Sequence, residues 1–262
     1  MLEKYDTIGV HYNSTRKADP YLFTKLQAFL NPLSDKTYLD IGCGTGNYTS
    51  AFAKKGYQFI GIDPSGEMLK KAKCQNNSVN WKIGKAEKTD LPTESIDGII
   101  ASLTLHHWQD LNKSFSELGR VLKPNGKMVL FTATSEQMKG YWLNHYFPKM
   151  LEDSITQMPS YKNIEANLKT NGLYIDITEK YTIQPDLQDL FLYSGKHKPS
   201  LYLDPKVRYG ISSFSSLANA KEVTHGLHIL KKDILSGKIN DVITKYENTA
   251  GDYLFMVIKK TY

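Results

Sequence analysis

At 262 residues, 40% hydrophobic and 23% charged, the chain has the proportions of a soluble globular protein with a sizeable core, within reach of one α/β domain carrying insertions. Its net charge of +6 would suit a nucleic-acid partner, but the make-up of that charge argues against one, because Arg16, Arg120 and Arg208 are its only arginines and its lysines are scattered as on a solvated surface. Two cysteines, Cys43 and Cys74, make no disulfide framework, no apolar run is long enough for a membrane span, and the first residues lack a secretory pattern, so a cytoplasmic protein is expected.

Residues 1–36 read as an N-terminal arm ending in a helical pattern from Tyr21 to Leu30. From 37 to 134 strands and helices alternate. Strands are predicted at Tyr38–Ile41, Tyr57–Ile62, Val79–Ile83, Ile96–Leu103 and Lys127–Thr132. Helices are predicted at Tyr48–Lys55, Glu67–Lys73 and Leu111–Leu122, the last ending in a turn over Lys123–Gly126. Strands joined through helices by short connections imply a parallel sheet with right-handed crossovers. Residues 135–262 are less regular. Ile175–Ile183 and Tyr253–Lys259 read as strands, with helices near Asp186–Tyr193 and Glu222–Leu235.

The first strand–helix junction is the most informative segment. Asp40-Ile41-Gly42-Cys43-Gly44-Thr45-Gly46 sets three glycines where a ligand can approach the main chain, ahead of a helix N-terminus that favours anions. A dinucleotide fingerprint requires glycine or alanine at position 47, which is Asn47, and disfavours a nicotinamide-dependent dehydrogenase; a P-loop requires Gly-Lys followed by Ser or Thr, which is missing. The second strand ends in Asp63-Pro64-Ser65, where an acidic side chain can hold a ribose diol.

In this combination the sequence resembles the class I S-adenosylmethionine-dependent methyltransferases, specifically the small-molecule type related to quinone biosynthesis. Asp40–Gly46 is similar to their first motif, and Asp63 to their ribose-binding acid. Gly84-Lys85-Ala86-Glu87 with Leu91-Pro92 resembles the segment bordering the adenine. Ser95–Ile100 resembles the fourth-strand motif, and Val121–Gly126 the turn before the fifth strand. The resemblance implies a Rossmann-like, doubly wound, mostly parallel seven-stranded sheet with an antiparallel last strand and helical lid insertions. It divides the chain into an arm (1–36) covering the cofactor, a cofactor-binding core (37–134), and a region (135–262) with the remaining strands and a substrate-side lid. S-adenosylmethionine is the implied cofactor, held by Tyr12, Arg16, Asp40, Gly42, Gly44, Gly46, Asp63, Pro64, Ala86, Glu87 and Ser102. Lys85 stands where many relatives have Asp, which leaves the adenine amino group to Glu87 or to a backbone carbonyl.

Several residues carry two readings. Asp40 braces the glycine loop or meets the methionine amino group, and the two are compatible. Arg16 pairs the cofactor carboxylate or lies on the surface. His106 and His107, at the mouth of the fourth strand, supply a general base for the acceptor or form a structural pair beside Trp108. A metal site would need a wider ligand cluster than these two rings. The aromatic residues Trp142, Tyr146, Phe147, Phe191, Tyr193, Tyr202 and Phe214 line an acceptor pocket or pack as core. The implied partner is a small-molecule acceptor. Nucleic-acid methylation is disfavoured because Ser102-Leu103-Thr104-Leu105 replaces the motif of amino-nucleobase enzymes. A non-catalytic cofactor-binding protein stays open, as do the methylated atom and the oligomeric state.

Overall fold

The computed structural model describes residues 15–261. A helix, α1 (Pro20–Leu30), opens the described chain, capped by the Asp19 carboxylate on the Leu22 amide. The core then runs β1 (Thr37–Ile41), α2 (Asn47–Lys54), β2 (Gln58–Asp63), α3 (Gly66–Gln75), β3 (Asn80–Ile83), β4 (Ile96–Ser102), α4 (Leu111–Val121) and β5 (Leu122–Thr132). Four helices follow: α5 (Ser135–Met138), α6 (Leu143–Tyr146), α7 (Pro148–Gln157) and α8 (Tyr161–Thr170). After β6 (Leu173–Tyr181) come α9 (Pro205–Tyr209), α10 (Ser212–Ser216), α11 (Ala220–Ser236) and α12 (Ile239–Lys245), and β7 (Tyr253–Lys260) closes the chain.

The seven strands form one sheet in the order β3-β2-β1-β4-β5-β7-β6. β7 runs antiparallel between β5 and β6, and the other neighbouring pairs are parallel. This is the Rossmann-like arrangement expected from the sequence. The chain reverses its direction of winding between β1 and β4, and in open α/β sheets the crevice at such a point collects ligands.

Alternation along the strands assigns the two faces. Val129 and Phe131 of β5 pack with α1, α2 and helices that follow β5 and β6, whereas Met128 and Leu130 pack with α4 and α8. Tyr253 and Phe255 of β7 join the first cluster, and Met256 and Ile258 the second. The sheet thus shares its core on one face with the helices that follow β5 and β6. Among the described residues no helix is long and apolar enough to cross a membrane.

Two local expectations are corrected. The turn at 123–126 is an irregularity within one strand: Ile96 pairs Leu122, then Gly98 pairs Lys127. Asp97 secures the offset by accepting from Lys123 Nζ at 2.8 Å and from the Thr37 amide at 3.0 Å. The helix expected near Asp186–Tyr193 does not form. The amides of Gln188 and Leu190 donate instead to Asp19 Oδ2 and the Thr15 carbonyl, so they are withdrawn from any i−4 ladder.

Candidate active site

The glycine loop leaves β1 with Gly42, Gly44 and Gly46 all at positive φ. A Cβ on Gly42 would fall 2.0 Å from Thr104 Oγ1, whereas one on Gly44 would meet nothing within 4 Å. Gly44 therefore presents bare backbone to the open space of a cavity of about 290 Å³ at the carboxyl ends of β1 and β4. Gly46 acts differently. It is the left-handed N-cap of α2, and its Cα faces Trp81, where a Cβ would sit 2.3 Å away. It shapes the loop and does not line the cavity.

The side chains around this loop hold it from several directions. Asp63 accepts from the Gly44 amide at 2.8 Å and the Ser65 amide at 2.9 Å, tying the end of β2 to the loop. Asp40 is buried and accepts from Thr49 Oγ1 at 2.5 Å. Burial, together with the negative Asp63 nearby, raises its pKa to about 7, while the Thr49 bond opposes the shift. Glu87 accepts from the amides of Gln109 and Asp110, at 2.7 and 3.2 Å, and so fixes the loop after the histidines. Its carboxylate has a bracing role that the sequence did not disclose.

One cavity gathers most of the residues singled out from the sequence: Arg16, Asp40, Gly42, Gly44, Asp63, Pro64, Ala86, Glu87, Ser102 and His107 all line it. Tyr12 lies outside the described residues. His106 faces a second, smaller cavity, and the two imidazoles lie 3.8 Å apart between centroids on a single 3₁₀ turn. Leu103, just before that turn, lines both cavities and is held at φ 54°. A left-handed conformation is costly for a branched side chain, and such strain recurs at functional sites.

Arg16 is neither an isolated surface residue nor simply aimed at the cavity. Its Nε donates to Asp189 Oδ1 at 2.5 Å and its Nη2 to Oδ2 at 3.3 Å, a bidentate pair with 15% and 2% of the two side chains exposed. Asp189 also accepts from Tyr48 Oη at 3.4 Å and itself lines the main cavity. Asn47 donates from Nδ2 to the Arg16 carbonyl at 3.1 Å. The sequence reading used Asn47 only to exclude a dinucleotide fold and missed Asp189, since its partner lies 173 positions away. Of the aromatic residues proposed for an acceptor pocket, Phe191 alone lines the second cavity; Trp142, Tyr146, Phe147, Tyr193, Tyr202 and Phe214 are core.

The pattern of glycine loop, strand-end acid and cavity at the winding reversal defines a class I methyltransferase site on a Rossmann-like sheet. The model of a methyltransferase domain matches residues 39–130. A crystal structure of a candidate methyltransferase from an antibiotic biosynthesis pathway of Anabaena variabilis is 33% identical, superposes with a TM-score of 0.83, and covers 94% of this chain and 99% of that one. Among curated proteins, an uncharacterized methyltransferase of Mycobacterium tuberculosis is 29% identical over 43% of this chain and 46% of its own length. The human mitochondrial ubiquinone biosynthesis O-methyltransferase is 27% identical over 55% of this chain and 43% of its own. The chain thus spans about half the length of the curated relatives it matches. With the near-complete match to the Anabaena structure, this chain belongs to the class I S-adenosylmethionine-dependent methyltransferases.

Proposed function

We propose that this protein binds S-adenosylmethionine in the main cavity and transfers its methyl group to a small-molecule acceptor. The observation that carries the reading is the convergence of Gly44, Asp40, Asp63 and Arg16 on one cavity that meets a second one at Leu103 and the histidine pair. The residues fit the cofactor by their chemistry. Asp63 suits the ribose hydroxyls, Pro64, Met68 and Ala86 offer an apolar wall to the adenine, and Gly44 admits the methionyl chain without a side-chain clash. Arg16 suits its carboxylate and Asp40 its ammonium. Gly42, Ser102 and Glu87 complete the lining, with Gly46 setting the loop's shape and Tyr12 proposed to reach the cofactor from the arm.

When bound, the cofactor supplies a methyl group already activated on a sulfonium. What the chain contributes is alignment of the acceptor, exclusion of water, and an imidazole, of His106 or His107, to receive the acceptor's proton. Alignment alone can lower the barrier by several kcal/mol, up to roughly 7–11 in favourable cases. In this reading residues 37–134 hold the cofactor, 135–262 supply the acceptor side, and the N-terminal segment closes over both.

Calorimetry tests the assignment directly. S-adenosylhomocysteine should bind with a micromolar constant, about −8 kcal/mol, and NAD should not bind. Gly44→Val should weaken S-adenosylhomocysteine at least tenfold, about 1.4 kcal/mol. Binding of NAD alone, or full affinity in the folded variant, would remove the assignment.

A further inference from the structure

We infer that Leu103 is the partition between the two cavities and a specificity-determining residue of the transfer. Its side chain, set at their boundary by a left-handed backbone, admits a methyl group on the sulfonium and excludes a larger one. This inference rests on the methyltransferase reading above, since it takes the cofactor to fill the main cavity and the acceptor the second.

Of the described residues, two line both cavities, Arg16 and Leu103. A group handed from one cavity to the other passes beside them. Arg16 is held by its bidentate contact to Asp189. Leu103 brings an apolar, branched side chain, half-buried and packed against the core cluster that includes Phe131 and Phe191.

The backbone at this residue is fixed from both sides. The Leu103 amide donates to the Phe131 carbonyl at 2.8 Å, one step beyond the Ser102–Phe131 pairing that ends β4. Thr104 lies so close to Gly42 that a Cβ on that glycine would fall 2.0 Å from the threonine Oγ1. The Thr104 carbonyl in turn accepts from the His107 amide at 2.8 Å, which closes the histidine turn. With both neighbours pinned, the chain bends at residue 103 through a φ of 54°. Glycine would take that backbone without strain, and asparagine with little. What leucine adds there is side-chain volume at the boundary, on a backbone that the surrounding contacts over-determine.

A fixed wall beside the transferred group acts in two ways. Methyl transfer is an in-line displacement, so the acceptor atom must come within about 3–3.5 Å of the methyl carbon along one direction. A branched side chain at the boundary narrows the approach to that direction. The same wall limits what the sulfur can carry. A substituent longer than methyl extends toward the second cavity and meets Leu103, and overlap with a packed side chain is destabilising because its supports must shift.

The test uses calorimetry on the full chain with S-adenosylhomocysteine, S-adenosylmethionine and the S-allyl analogue of the latter. The parent protein should bind the S-allyl analogue at least tenfold more weakly than S-adenosylmethionine. Leu103→Ala and Leu103→Gly should each bring the two within threefold, with S-adenosylhomocysteine affinity changed by less than threefold. Leu192→Ala enlarges the second cavity without altering residue 103, and should keep the discrimination of the parent. Chemical denaturation gives an independent reading. The folding equilibrium constant of Leu103→Gly should at least equal that of Leu103→Ala, the reverse of their usual order, because glycine alone relieves the left-handed backbone. Equal binding of the S-allyl analogue by the parent, discrimination retained in both Leu103 variants, or its loss in Leu192→Ala would overturn the partition. A glycine variant less stable than the alanine one would overturn the strained setting. Absence of S-adenosylhomocysteine binding by the parent would instead remove the cofactor reading, so the two failures are distinct.

Discussion

Asp40 braces the loop through Thr49 and, in the proposed reading, also meets the ligand's ammonium. Its pKa stands near 7 because burial penalises the charge and Asp63 adds repulsion. A raised carboxyl pKa stabilises the fold fully below the ordinary carboxylate range, near pH 3.8, and that contribution is lost as pH rises through 7. A cationic ammonium favours the ionised form, so binding should release a proton below neutrality. S-adenosylhomocysteine affinity should therefore rise as pH goes from 6 to 8, and Asp40→Asn should flatten the dependence. Calorimetry in buffers of different ionisation enthalpy reads the proton directly, and an affinity independent of pH in the parent protein would contradict the assignment. At Gly44 the structure adds a cost that the motif does not reveal. With φ at 54°, valine there is strained by about 1–2 kcal/mol, so the melting temperature of that variant should fall as well as its affinity.

Among the elements, residues 15–19 before α1 form a strap tied down beside the main cavity, which Arg16 lines. Its Thr15 carbonyl accepts from the Leu190 amide, Asp19 accepts from the Gln188 amide, Asn47 holds the Arg16 carbonyl, and Arg16 meets Asp189. Three of these ties link residues 15–19 to the loop that stands in place of the expected helix at 186–193, and the Asn47 bond links Arg16 to α2. Removing one partner of a buried ion pair leaves the other uncompensated, so Asp189→Ala should lower unfolding free energy by about 3 kcal/mol. The double variant with Arg16→Ala should lose less than the sum of the single changes. Chemical denaturation of the four proteins of the cycle measures this, and strict additivity would show that the pair contributes no coupling. The glycine loop and the strands were legible because their signals are local: a periodicity, a turn residue, a motif of seven positions. The strap was not, because its hydrogen bonds join residues that are distant in the chain.

For the whole molecule, sheet and lid share a single apolar cluster in which Phe131 and Phe255 of the strands meet Trp142, Phe147 and Tyr202 of the lid region. The proposed lid region is thus anchored as core. Amide exchange at 142–147 should be slow with or without ligand. Residues 15–19 and 187–191 should slow on addition of S-adenosylhomocysteine, since the strap lies beside its proposed site. Mass-spectrometric hydrogen exchange distinguishes these regions, and an unchanged strap would detach Arg16 from the cofactor.

By itself the sequence determined the parallel sheet, the glycine loop, Asp63 and the family resemblance, because period-two apolar runs and glycine spacing are written over a few adjacent residues. It also placed Arg16 and the histidine pair among the functional candidates without deciding between their two readings. Tertiary structure decided what those residues face. It paired Arg16 with Asp189, directed His106 and His107 into different cavities, turned Gly46 toward Trp81, and made most of the lid aromatics core. Such outcomes depend on which distant segments pack together, and that is set by burial of the whole apolar surface rather than by any local pattern.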